Sequence, residues 1–101
     1  MDTILVQLNQ LFERIPRRHS TDNVKEIYDI LDNYEDLLRE IELEPTYEKE
    51  IALFFEELEP IRSLIKKSND NKASKKIKDS LFDEASGNLK DSLEALQLVY
   101  H

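Results

Sequence analysis

Residues 24–41 read VKEIYDILDNYEDLLREI. Val24, Ile27, Leu31, Tyr34, Leu38 and Ile41 recur at alternating steps of three and four, the spacing that places side chains on one stripe of an α-helix. Tyr28, Ile30 and Leu37 widen that stripe to about half of the helical wheel. One partner helix needs less apolar surface than this, so the segment is expected to touch two neighbours. A helix over about 22–43 follows, with Asn23 and Glu26 spaced as a capping box at its start.

The same periodicity extends in both directions. Upstream, Ile4, Leu8, Leu11, Phe12 and Ile15 share a face, giving a helix over about 2–15 that Pro16 terminates, because the residue before a proline is pushed out of the α region. Downstream, Pro45 closes the second segment and opens a third over about 46–67, where Tyr47, Ile51, Phe54, Leu58, Ile61 and Ile65 continue the rhythm. Pro60 falls inside it. A proline there removes one ladder bond at ~3 kcal/mol, yet the stripe keeps its phase, so one helix kinked at Pro60 is expected rather than two. Residues 66–76, KKSNDNKASKK, lack any large apolar side chain and read as a flexible lysine-rich loop. A fourth helix from about Ser74 to Tyr100 carries Ile77, Leu81, Ala85, Leu89, Leu93, Leu96 and Tyr100 on one face. Ala85-Ser86-Gly87 interrupts it, which suggests a kink or a close helix crossing at Gly87.

The expected fold is therefore all-α: a single domain over 1–101, an antiparallel four-helix bundle running up-down-up-down. Each helix alone is marginal in water, so burial of the stripes must supply most of the stability. Leu31, Leu38, Phe54, Leu58, Leu81 and Leu89 are the expected anchors of the core.

Composition narrows function by exclusion. The chain of 101 residues has one Gly and no Cys. Phosphate-cradling loops, nucleophile elbows and tight hairpins need several glycines where φ is positive or a backbone approaches a ligand. Without cysteine there is no disulfide, thiolate nucleophile or Cys-ligated metal. The opening Met1-Asp2 lacks a basic n-region and a long apolar h-region, and the longest apolar run, Ile51 to Phe55, is far too short to cross a bilayer. A cytoplasmic protein with no membrane partner is expected.

The net charge of −8 is unevenly divided. Residues 22–59 hold 14 acids against three bases, a net −11, whereas 66–78 hold six lysines against one aspartate, a net +5. Glu26, Asp29, Asp36 and Glu40 lie opposite the apolar stripe of the second helix, with Asp32 at its margin. Such a strip suits recognition of a basic surface on another protein, since complementary fields speed encounter and exclude wrong partners. Off the main stripes lie Val6, Leu53, Phe82 and Leu98. Phe82 stands out, about 100° from the centre of its stripe, and is a candidate contact residue for a partner.

Catalytic and metal chemistry lack parts. Glu56 and Glu59 have the spacing of the first half of the Glu-x-x-Glu…Glu-x-x-Asp magnesium motif of all-α nucleotide pyrophosphohydrolases. No second half follows, since Glu84 meets Gly87 three residues on. His19 sits in the Pro16–Ser20 loop and no motif sets a Ser, His and carboxylate in a pre-organised turn. No cofactor is implied. Nucleic acid is not an expected partner, because the chain is acidic and no aromatic residues interleave with the lysines. The reading is a non-enzymatic protein-binding module of the inhibitor, immunity-protein or adaptor kind. The alternatives are a helical homodimer, suggested by the half-wheel stripe of the second helix, and a metal-dependent enzyme acting on a phosphorylated small molecule.

Overall fold

The computed structural model describes residues 3–100. The chain forms four helices, α1 (Thr3–Arg14), α2 (Thr21–Glu42), α3 (Glu48–Ser68) and α4 (Lys75–Val99), with a single 3₁₀ turn at Pro45–Tyr47 between α2 and α3. No strand occurs among the described residues. The helices pack against each other, α1 on α2 and α4, α2 on α3, and α3 on α4, in a molecule of 45 × 24 × 18 Å.

The wide stripe of α2 is taken up within the chain. Val24, Ile27, Ile30, Leu31, Tyr34, Leu37, Leu38 and Ile41 are all buried, facing α1 on one side and α3 on the other. In α3 the buried set is Ile51, Phe54, Leu58, Ile61 and Ile65, with Pro60 inside one unbroken helix as the phase of the stripe required. Helices α2 and α4 start on serine caps: Ser20 Oγ accepts the Asn23 backbone N–H at 3.0 Å and Ser74 Oγ that of Ile77 at 3.3 Å. The cap of α2 thus lies at Ser20, three residues before the expected Asn23. Asn23 instead donates its side-chain amide to the Arg18 carbonyl at 2.8 Å.

Three expectations for the second half need correction. Lys66, Lys67, Ser68, Lys75 and Lys76 are helical, so the lysine-rich loop shrinks to 69–74; the buried Ser68, whose hydroxyl donates to the Ile65 carbonyl, anchors the end of α3. The first half of α4 is rotated from the expected phase. Phe82 is fully buried, Leu81 only partly, and Ile77 is 52% exposed. The stripe that packs is Phe82, Ala85, Ser86, Leu89, Ser92, Leu93 and Leu96, in which small and hydroxylated residues hold core positions. Gly87 is not a close crossing, because a Cβ there would meet nothing within 4 Å. The close approach lies beside it: Ser86 Oγ donates to the Pro16 carbonyl at 2.7 Å, drawing the α1–α2 link onto α4.

Two further contacts fix which links are neighbours. His19 Nε2 lies 3.1 Å from Asn69 Oδ1, and the His19 ring stands edge-on to Phe82 at 5.8 Å, so the α1–α2 link sits beside the end of α3 and the early part of α4. At the opposite end the Tyr47 and Tyr100 rings meet at 5.1 Å, joining the α2–α3 turn to the end of α4.

Candidate functional site

The acidic strip of α2 is divided in two by the arginines of its neighbours. Arg14, in the last turn of α1, reaches Glu26 at 2.6 Å and Asp29 at 2.8 Å. The two carboxylates, Asp29 foremost and then Glu26, raise the guanidinium's already high pKa. Arg62 of α3 bridges Asp32 and Glu35, each at 3.2 Å. Glu26, Asp29 and Asp32 are therefore engaged in tying α2 to its neighbours. These partly solvated pairs contribute little each, ~0.2–1 kcal/mol, but two arginines against four carboxylates halve the charge of this part of the strip.

Asp36 and Glu40 form the other half. Asp36 has only a long contact to Arg39, 3.9 Å on the same helix, and Glu40 has no ion pair among the described residues. Both border a groove of about 650 Å³ between α1 and α2, where Gln7, Gln10, Glu13 and Arg14 form one wall and Asn33, Asp36 and Glu40 the other. Leu11 and Leu37, each 5% exposed, lie at its base. Three carboxylates against one arginine make the groove net negative, and that arginine is already held by Glu26 and Asp29. Among the expected contact residues, then, Asp36 and Glu40 come together at one open site, and Glu26, Asp29 and Asp32 do not. Phe82 lies in the core with no exposed surface, so it is not a surface contact in this fold. Gln7, Gln10, Glu13 and Asn33 escaped the sequence reading, since polar residues on helix exteriors carry no distinguishing pattern.

A second, smaller recess of about 240 Å³ opens between α3 and α4, lined by Glu57, Pro60, Ile61, Asn88 and Asp91. Behind it a line of hydrogen bonds leads into the core. The fully buried Tyr34 hydroxyl lies 2.7 Å from Ser92 Oγ, which donates to Glu57 Oε1 at 3.4 Å. An ionised carboxylate only accepts, so Ser92 donates to Glu57 and Tyr34 donates to Ser92. Burial foremost pushes the Tyr34 hydroxyl pKa well up, the hydrogen bond with Ser92 opposes this, and the Glu57 charge adds a smaller upward push. Partial desolvation raises the carboxyl of Glu57, an exposed residue at the recess, above its ordinary value; the Ser92 hydroxyl opposes this and the Asp91 charge adds to it. The line satisfies buried polar groups. It does not set a nucleophile against a base: the Ser92 hydroxyl is committed at both sides, and His19 lies elsewhere, against Asn69 and Phe82. The described residues hold no group of three or more His, Asp or Glu placed to bind a metal ion, and no helix among them is long and apolar enough to cross a membrane.

Fold and site together define a small all-α protein of four packed helices with an acidic, leucine-based groove. No known protein family matches the chain, and no curated protein or solved structure is similar to it.

Proposed function

We propose that the chain is an antiparallel up-down-up-down bundle that acts as a non-enzymatic protein-binding module, taking a basic segment of a partner protein into the α1–α2 groove. The topology is supported by the neighbouring links, His19 beside Asn69 at one end and Tyr47 beside Tyr100 at the other. One observation carries the functional reading: Asp36, Glu40 and Glu13 rim an open groove whose base is Leu11 and Leu37. A lysine or arginine side chain fits this chemistry, its methylene stem over the leucines and its charged head at the carboxylate rim. The carboxylates steer the encounter and set the register of the partner's cations.

The test is capture of partners from the native host by the parent chain and by an Asp36→Lys/Glu40→Lys variant, with Glu26→Gln/Asp29→Gln as a comparison. A partner held by the parent and the comparison but lost by the reversal supports the reading. Retention of every partner by the reversed variant overturns it. The half-wheel stripe of α2, which suggests the homodimer alternative, is covered by α1 and α3 within one chain.

A further inference from the structure

We propose that the end of the molecule formed by the α1–α2 and α3–α4 links docks onto an anionic lipid surface. The links are brought together by the His19–Asn69 contact. Arg17 and Arg18 come from one link, and six lysines between residues 66 and 78 come from the other and its flanking helix turns. Residues 15–20 and 66–78 hold these eight cations and one acid, Asp70, a net +7 within those segments. Asp22, Asp79, Asp83 and Glu84 follow them in the opening turns of α2 and α4 and reduce the excess of positive charge at this end without cancelling it. None of the eight is in an ion pair among the described residues, in contrast to Arg14, Arg39 and Arg62, which all are. At this end α1 and α3 finish while α2 and α4 begin, so the helix dipoles cancel in pairs and the side chains set the field.

The protein's overall negative charge does not mask this end. Charges separated by more than ~8 Å are largely screened from one another at physiological ionic strength, and the molecule is 45 Å long. The free carboxylates of the α2–α3 turn lie at the far end, beside Tyr47 and Tyr100, and would point away from a negative membrane.

One residue selects a lipid surface over a nucleic acid. Ile77 is 52% exposed between Lys76 and Lys78. A headgroup layer accepts cations and an aliphatic side chain together, whereas a phosphate backbone offers nothing to the isoleucine. Residues 15–20 and 66–78 hold no Phe, Tyr or Trp on which bases could stack.

The test is sedimentation of the full chain with vesicles of phosphatidylcholine alone and of phosphatidylcholine with phosphatidylserine, with duplex DNA in a parallel titration. Binding is expected only to the phosphatidylserine vesicles, and it weakens as salt rises. Each neutralised lysine should lower partitioning about fivefold, so Lys75→Gln/Lys76→Gln lowers it about twenty-fivefold. Ile77→Gln should lower the binding that persists at high salt. All three sites are exposed, and unchanged helicity by circular dichroism confirms that the variants fold. No phosphatidylserine-dependent binding at low salt overturns the proposal, as does a double variant that binds like the parent. Tighter binding to the duplex than to the vesicles, unaffected by Ile77→Gln, overturns it in favour of a nucleic acid.

Discussion

Truncating Phe82 to alanine should damage this protein far more than the same change at Leu81, although the two are adjacent. Phe82 has no exposed surface and meets the edge of the His19 ring at 5.8 Å; Leu81 is only half-buried. Removing a buried phenylalanine costs ~3–5 kcal/mol, the lost transfer energy together with the cavity left behind. Partial burial of a leucine is worth ~1 kcal/mol, about half the value for full burial. A domain of this size has ~5–15 kcal/mol in total, and ~1 kcal/mol moves the melting temperature by ~4–8 °C. Phe82→Ala should therefore lower the melting temperature by ~12–40 °C, and Leu81→Ala by less than ~10 °C. The assay is thermal and urea unfolding followed by circular dichroism on both variants, with the urea slope checked for constancy so that midpoints report stability. If Leu81→Ala costs as much as Phe82→Ala, the rotation of α4 described above is wrong and the helix packs in the phase that Ile77, Leu81 and Ala85 alone would suggest.

Further predictions concern single sites. Gly87→Ala should stabilise the protein by ~1 kcal/mol, because a Cβ there meets nothing within 4 Å and glycine inside a helix costs about that much relative to alanine; a lower melting temperature would show that the glycine has a packing role. Glu57→Gln should match or exceed the parent in stability at neutral pH. Because partial desolvation raises the folded-state pKa of Glu57, an exposed residue, its ionisation slightly disfavours the fold as pH climbs from the unfolded carboxyl value through the raised one. The advantage of the glutamine should vanish below about pH 4, where the carboxyl is protonated in both states, and an advantage that grows toward acid would refute this sign. Arg14→Ala should cost less than ~1 kcal/mol, since both of its ion pairs are partly solvated, and the loss should shrink as salt is added; a salt-independent loss of several kcal/mol would show that Arg14 is a buried strut.

The sequence legibly specified the helices wherever large apolar residues alone carried the period. In α2 every heptad residue from Val24 to Ile41 is buried, and Pro60 left the stripe of α3 in phase because its missing N–H costs one bond without altering the positions that follow. In α4 the pattern misled. Ile77 and Leu81 are spaced to continue back from Ala85, but the packed face uses Ala85, Ser86 and Ser92, and serine is invisible to a count of hydrophobic residues. Ser86 and Ser92 are tolerated in the core because the Pro16 carbonyl, Tyr34 and Glu57 satisfy them. The N-cap of α2 falls at Ser20 and not Asn23 for a related reason: both have capping side chains, and only the backbone turn decides which accepts the N–H.

For the site, the acidity of α2 could be read from the chain, but its division could not. Which carboxylates meet an arginine depends on how α1 and α3 are registered against α2, and registration is a property of the packed structure. Likewise the +5 of residues 66–78 is visible in the sequence, whereas its union with Arg17 and Arg18 needs the two links to be neighbours.

The most direct test of the central claim is a heteronuclear NMR titration of the protein with an amphipathic helical peptide of leucine and lysine. The account predicts shifts concentrated at Gln7, Gln10, Leu11, Asn33, Asp36 and Glu40, abolished by Asp36→Lys/Glu40→Lys. Shifts centred instead on the carboxylates of the α2–α3 turn, or spread evenly over the acidic surface, would contradict the claim that the α1–α2 groove is the binding site.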